Sequence, residues 1–159
     1  MNYQIDDQVV HWSHGPGKII GIDEKRLSGR TRLYYVVEAG RTTIWVPVDE
    51  AGEKSLRLPS TLLEFKELLN LLTGPGEELP DHQFQRRSEL SERMQKRSLN
   101  DVCFVIRDLI FRSTSRKLNR NDVDVLKRAK EFLLSEWELS LGIPRARAQL
   151  ELQSYLETI

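Results

Sequence analysis

The pattern of hydrophobic and polar positions changes near residue 60. Before that point, short runs rich in β-branched and aromatic residues alternate with glycine-containing segments, which is typical of strands joined by turns. After it, apolar residues recur every three to four positions, which is the spacing of amphipathic helices. We therefore predict an α+β chain, in which a small antiparallel β-barrel of the SH3 or Tudor type is followed by an all-α helical domain.

Four strands are predicted in the first part of the chain. Turn segments around Gly15 and Gly17, Gly29 and Gly40 separate them, so successive strands are expected to pair antiparallel as a meander. The predicted strands cover residues 8–13, 18–22, 32–38 and 43–48.

The second part of the chain predicts five helices. The first follows a Ser60 or Thr61 cap and carries a strongly apolar face. The polar, proline-bounded segment 77–80 is the predicted domain boundary. This gives a first domain of residues 1–74, which includes its closing helix, and a helical second domain of residues 81–159. The predicted helices cover about residues 61–72, 81–97, 100–115, 121–140 and 145–156.

Charge is distributed unevenly, although 24 basic and 24 acidic residues give a formal net charge of zero. Residues 1–80 hold 9 Lys/Arg and 12 Asp/Glu, whereas residues 81–159 hold 15 and 12. Between residues 86 and 120, ten basic residues face four acidic ones, a local excess of the kind found on nucleic-acid-binding surfaces. No apolar run reaches the length of a membrane span, and the start lacks a signal-peptide profile, so we expect a cytoplasmic protein without a membrane partner.

Residues that would indicate catalysis are sparse. The sequence has no glycine-rich phosphate loop and no serine elbow, so we expect no enzyme; a cleft that collects histidines and carboxylates would argue the opposite. His11 and His14 could form half of a metal site, but no third ligand is close in sequence and strand alternation would place them on opposite faces. We therefore expect no metal and no other cofactor. Cys103 lies in an apolar run and is expected to be a buried structural thiol.

Several motifs, taken in order, resemble a known family. An apolar strand, a turn containing histidine and glycine, and a second apolar strand occupy residues 8–19, and the strand 43–48 contains Val-Pro. Further along, Phe84-Gln85-Arg86-Arg87 and Val105-Ile106-Arg107-Asp108-Leu109 are similar to an aromatic-x-Arg-Arg segment and a Val-Val-Arg-Asp-Leu helix. Over about residues 3–140 the chain resembles the CarD/CdnL family of bacterial transcription regulators.

The resemblance implies that the first domain binds the lobe of the RNA polymerase β subunit. Such domains, shared with transcription-repair coupling factor, dock through an edge strand and the surface beside it. Trp45 departs from the arginine often found at its position: it is either an exposed interface anchor or a core residue. By position, the polymerase-binding residues are Lys25, Arg26, Thr43, Ile44, Trp45 and Val46.

The resemblance also implies that the helical domain contacts promoter DNA at the upstream edge of the transcription bubble. An aromatic wedge and phosphate-binding cations would stabilise the open complex without reading sequence. Phe84 stands where the family usually has tryptophan, and Ser88-Glu89 follows where an aromatic and a basic residue are common. The alternatives are a core role for Phe84 and a solvated helix face for the arginines. The implied DNA-binding residues are Phe84, Arg86, Arg87 and Arg93.

The function predicted from the sequence is a non-enzymatic transcription regulator that binds polymerase, joins the nucleoid through it, and supports promoter opening. The alternative is a polymerase-binding adaptor that lacks productive DNA contact. The sequence leaves open whether promoters are activated or repressed. A monomer and a domain-swapped dimer both remain possible, and the helix at residues 61–72 is the segment most suited to exchange.

Overall fold

The computed structural model describes residues 2–49, 55–96 and 98–157. The chain forms two compact units, Met1–Pro59 and Ser60–Ile159, which we call the β unit and the helical unit. An antiparallel sheet makes up the first and helices make up the second. The predicted α+β class is therefore confirmed.

The β unit is a five-stranded antiparallel sheet in the order β4-β3-β2-β1-β5. Strand β2 is 13 residues long, far longer than predicted, because it pairs with β3 out to the Leu27↔Arg30 pair. Strand β5 was not predicted, since two residues carry no periodic signal. The strands are β1 (Gln8–His11), β2 (Gly15–Leu27), β3 (Arg30–Ala39), β4 (Thr42–Pro47) and β5 (Leu56–Arg57).

The whole Gly-Pro-Gly segment lies in β2 and pairs with β1. Gly15 has a positive φ of 74°, which suits the point where the chain leaves the tight turn after β1. A Cβ at Gly17 would lie 2.8 Å from Val37 Cγ1, so glycine is needed here for the close approach of β3. The predicted break between the first two strands therefore shortens to residues 12–14.

The core of the β unit comes from the inward-facing residues of its strands. Val9, Ile19 and Val37 are fully buried in one cluster. The rings of Tyr3 and Tyr35 meet edge to face at 5.5 Å, and the Tyr3 hydroxyl donates a hydrogen bond to a main-chain carbonyl of β5. These contacts fix the N-terminal segment across the sheet.

The helical unit contains five helices among the described residues. Thr61 and Asn119 each form a reciprocal capping box, and Gly142, with φ of 63°, ends the longest helix. The second predicted helix begins two residues later than expected, and its predicted end, Arg97, lies outside the described residues. The helices are α1 (Leu62–Leu72), α2 (Gln83–Gln95), α3 (Leu99–Ser113), α4 (Arg120–Leu141) and α5 (Arg145–Glu157).

Helix α1 packs inside the helical unit, whereas the sequence had assigned it to the first domain. Phe65 is fully buried and meets Trp137 edge to face at 5.1 Å, and Leu68 and Leu72 join the same apolar cluster. The division between the units falls at Pro59–Ser60 and not within 77–80. The physical reason is that the apolar face of α1 has its partners on α3 and α4.

The connector between α1 and α2 is held tightly at Gly76. A Cβ at this position would lie 2.3 Å from Phe111 Cβ, whereas one at Gly74 would lie 3.4 Å from the Leu71 carbonyl oxygen. We predict that Gly76→Ala lowers the free energy of unfolding by about 1–3 kcal/mol through overpacking. Gly74→Ala, the matched control, should leave it unchanged or raise it by up to about 1 kcal/mol. Urea denaturation followed by far-UV circular dichroism tests this, and equal midpoints for the two variants would contradict it.

Candidate functional site

Strand β4 is an edge of the described sheet, so one side of its backbone is unpaired within it. Side chains alternate along it, as strand geometry requires. Thr43 is exposed and Trp45 is 43% exposed, while Ile44 is half-buried and Val46 is only 3% exposed. The edge can therefore offer its backbone and the outward side chains of Thr43 and Trp45 to a partner.

The outward position of Trp45 is incompatible with a core role. The ammonium of Lys25 on β2 lies 3.8 Å from the centre of the indole ring, a cation–π contact. Val36, which pairs with Trp45 across the ladder, lies beside it on the same face and is buried. Trp45 is therefore a surface residue that lies next to a buried side chain, and a core role is ruled out. Arg26 is exposed on the neighbouring position of β2.

Ile44 and Val46 face the interior and belong with the core of the β unit. Val46 is too buried for its side chain to make the predicted contact with polymerase in this structure, whereas Ile44 keeps partial exposure. The reason is the two-residue alternation of a strand, which separates them from Thr43 and Trp45. Their main-chain N–H and C=O groups point towards β3, because Val48 N–H donates to the Leu33 carbonyl in the same ladder and hydrogen-bonded pairs recur at every second residue.

Phe84, in the first turn of α2, is 67% exposed, so the alternative of a core role is ruled out. Its ring lies 5.7 Å from that of His82, the residue at the N-cap. Arg87 is exposed and has no ion pair within the described part of the chain. Residues three apart share a helix face, so Phe84 and Arg87 form one exposed aromatic and basic surface.

Arg86 is structural, since it is 4% exposed and points into the helical unit. Its Nε donates a hydrogen bond of 2.9 Å to the buried carboxylate of Asp122, and its Nη1 donates to the carbonyls of Pro80 and Asp81. Asp122 also accepts the N–H of Asn119 at the start of α4. The predicted phosphate contact of Arg86 is not available in this conformation, because its guanidinium is committed to these partners.

Arg93 is also held inside a network. It donates to the buried carboxylate of Asp108 and to Glu89, each at 2.7 Å. Asp108 further accepts Arg107 Nε and the main-chain N–H of Glu77. Burial alone would lower the pKa of Arg93, but the hydrogen bonds and charges of Asp108 and Glu89 raise it above its ordinary value. Arg93 is thus a charged structural residue.

The basic segment therefore presents fewer free cations than its sequence suggests. Arg112 and Arg116 share the carboxylate of Asp81, and Arg107 is paired with Asp108. Arg97 lies outside the described residues. Within the described ranges, the basic residues of this segment that are exposed and carry no ion pair are Arg87, Lys96, Lys117 and Arg120.

The two N-terminal histidines lie together, contrary to the expectation that they occupy opposite faces. Their Nδ1 atoms are 3.3 Å apart, because the chain turns after β1 and Gly15 brings His14 back beside His11. The N–H groups of Ser13 and His14 donate to His11 Nδ1, so this nitrogen organises the turn. Among the described residues, no group of three or more potential metal ligands is present.

Cys103 is fully buried in α3, as predicted. Burial raises the pKa of its thiol to about 12, because desolvation disfavours the thiolate. The thiol is therefore protonated at neutral pH and unsuited to nucleophilic chemistry. Within the described helices, none is long and apolar enough to cross a membrane.

The chain combines a small antiparallel β unit, whose edge strand carries an exposed aromatic residue beside a cation, with a helical unit that has an exposed aromatic and basic turn. Residues 3–58 match the family model described as CarD-like/TRCF RID domain, and residues 67–153 match the one described as CarD, C-terminal domain. The chain belongs to the CarD family of transcription factors, which implies interaction with RNA polymerase.

A curated relative supports the same assignment. The chain is 27% identical over 144 residues to the Bacillus subtilis (strain 168) protein named "Putative transcription factor YdeB". The match covers 89% of this chain and 94% of the relative, so both units are included.

The contrast between Arg86 and Arg87 gives a direct test of the site geometry. Removing one partner of a buried ion pair leaves the other charge uncompensated, so Arg86→Ala should lower the free energy of unfolding by about 3–5 kcal/mol. Arg87→Ala removes an exposed side chain and should change it by less than about 0.5 kcal/mol. The measurement is chemical denaturation monitored at the helical circular dichroism band. If the two substitutions cost the same, Arg86 is not the structural residue described above.

Proposed function

We propose that the protein binds the β subunit of RNA polymerase through the edge of its β unit and stabilises the promoter open complex through its helical unit. DNA contact would be independent of sequence and would lie at the upstream edge of the bubble. The single observation that supports DNA contact best is the exposed pair of Phe84 and Arg87 on one face of α2. The proposal needs no catalytic step.

The polymerase-binding part of the proposal rests on β4 and its neighbour β2. A free strand edge can add a strand of a partner by main-chain hydrogen bonds, and the outward Trp45 supplies an aromatic anchor next to it. Lys25 keeps a positive charge over the indole face, whereas Arg26, the next residue of β2, is exposed on the opposite face of the strand. Lys25 and Trp45 together favour a partner surface that offers carboxylates around an apolar depression.

The DNA-contacting part of the proposal rests on the first turn of α2. An exposed aromatic ring can enter the space between base pairs that are already unstacked at a bubble edge, which lowers the cost of holding them apart. Arg87, on the same face, would contact the adjacent phosphate, while Arg86 and Arg93 hold the helix in place from inside. Phosphate contact adds affinity that falls as salt rises.

The adaptor without productive DNA contact remains the second candidate. The observation that favours it concerns two of the four implied DNA-binding residues, Arg86 and Arg93. Their guanidinium groups are paired with internal carboxylates. Of the three cations among these four residues, only Arg87 therefore remains free for phosphate.

For the polymerase interface, we predict that Lys25→Glu and Trp45→Ala each weaken binding of the full chain to purified β subunit by about tenfold or more, because both change the outward face beside the free edge. Lys66→Glu makes the same charge change on an exposed position of α1 and should have an effect below about twofold. Biolayer interferometry with immobilised β subunit measures this. Equal binding by all variants would remove the β4 edge from the proposal.

For the DNA interface, we predict that Phe84→Ala weakens binding to forked promoter DNA by about tenfold, since it removes the proposed wedge. Arg87→Ala should reduce the salt dependence of log K by about 0.9, the value of one phosphate contact. Phe132→Ala truncates another exposed phenylalanine, on α4, and is the matched control. Fluorescence anisotropy over a salt series distinguishes the candidates: if binding to polymerase persists while Phe84→Ala and Arg87→Ala change nothing, the adaptor is correct.

A further inference from the structure

A groove between α4 and α5 of the helical unit takes no part in the roles proposed above. It encloses about 500 Å³, within the range of ligand-binding sites in proteins. Its walls are mostly aliphatic, and none of its residues belongs to the predicted polymerase or DNA contacts. The apolar wall residues are Val123, Leu126 and Leu134 from α4 and Leu152 and Leu156 from α5.

The groove exposes apolar surface at its rim and is closed at its floor. Leu134 and Leu152 are buried and form the floor. Val123 is 51% exposed, and Leu126 and Leu156 are half-buried, so a row of aliphatic side chains is accessible from outside. Exposed aliphatic surface next to a groove is stabilised by an apolar occupant.

The charge at the rim is positive and uncompensated. Lys127 is exposed and Lys130 is half-buried, and neither has an ion pair within the described residues. Glu131, the carboxylate that lines the groove, is instead paired with Arg145. Burial lowers the pKa of Lys130, because desolvation disfavours its ammonium form.

We propose that this groove binds an acidic amphipathic helix of a partner protein, with aliphatic residues against Val123, Leu126 and Leu156 and carboxylates on Lys127 and Lys130. A helix presents such anchors at i, i+3, i+4 and i+7, the usual mode of helix-in-groove recognition. DNA fits less well, because phosphates would pair with the lysines but leave the aliphatic row without a partner.

The test uses the full chain and a labelled synthetic peptide of about 18 residues, long enough to form a helix on binding. The peptide carries leucines at the helical spacing on one face and glutamates on both flanks. Fluorescence anisotropy should give saturable binding with Kd of roughly 10–100 µM. One control peptide replaces the leucines with serine and another replaces the glutamates with glutamine, and each should bind about tenfold more weakly.

Variants of the protein locate the binding. Val123→Glu and Lys127→Glu change exposed positions at the rim, so both should fold and should weaken peptide binding by about tenfold. Arg128→Glu makes the same charge change as Lys127→Glu on an exposed residue of α4 outside the groove, and its effect should stay below about twofold. In NMR spectra of the ¹⁵N-labelled protein, adding the peptide should shift the amide signals of the groove residues and leave those of other residues unchanged.

Three results would overturn the proposal. Absence of saturation up to about 1 mM peptide would mean that the groove lacks useful affinity for this class of helix. An equal loss in Arg128→Glu would reduce the binding to general electrostatic attraction. If Val123→Glu and Lys127→Glu weaken binding of forked DNA while the peptide remains unbound, the surface contacts nucleic acid instead. None of these results depends on Phe84 or Arg87, so they leave the proposed DNA contact untouched.

Discussion

Two carboxylates buried in the helical unit determine how its exposed turn is presented. Asp108 and Asp122 are almost fully inaccessible to solvent, and a carboxylate in that position is costly unless cations and N–H donors surround it. Asp108 accepts hydrogen bonds from Arg93, Arg107 and the N–H of Glu77. Asp122 accepts a hydrogen bond from Arg86 and takes part in the cap of α4. The connector before α2 is thereby fixed to α3, and α2 is fixed to α3 and α4. The direction in which Phe84 points is a consequence of these bonds.

The same network changes how the charge of the basic segment should be interpreted. A local excess of arginines in sequence suggests a positive surface, yet arginines paired with buried carboxylates contribute little to the field outside. Arg86, Arg93 and Arg107 are of this kind, and Arg112 with Arg116 is partly neutralised at the surface by Asp81. The electrostatic attraction available for DNA is therefore modest, which fits a contact that depends as much on an aromatic wedge as on phosphate binding.

Much of the fold could be predicted from the periodicity of apolar residues, and part of the candidate site could have been predicted in the same way. Helix positions, a cap at Ser60 or Thr61 and the burial of Cys103 were predicted because each depends on neighbours in sequence, and the structure uses Thr61 as the cap. Residues two apart on a helix point in different directions, so Phe84 and Arg86 could not both face DNA. On strand β4, adjacent side chains alternate between the two faces, which separates Trp45 from Val46.

Other features depend on contacts between distant parts of the chain and could not be predicted from one sequence. The partner of Arg86 is Asp122, 36 positions away, and nothing local marks that pairing. The sequence assigned α1 to the first domain, because its apolar face could cover either unit. Its contacts with Trp137 and α3 place it in the helical unit, and these partners are distant in sequence. The proposed helix-binding groove likewise combines residues of α4 and α5 that are far apart in sequence, such as Val123 and Leu156.

The edge of the β unit carries a related constraint, since a free strand edge invites pairing with any other exposed strand, including one from a second copy. Here β4 is only six residues long and ends at Pro47, which has no N–H to donate. The cation of Lys25 lies directly over the exposed indole of Trp45, so an approaching copy would bring a second positive charge and a second Lys25–Trp45 pair to the same place. A partner that supplies carboxylates beside an apolar depression would meet no such repulsion. Like-charge repulsion at Lys25 would thus act against a second copy at this edge and in favour of a partner that supplies carboxylates.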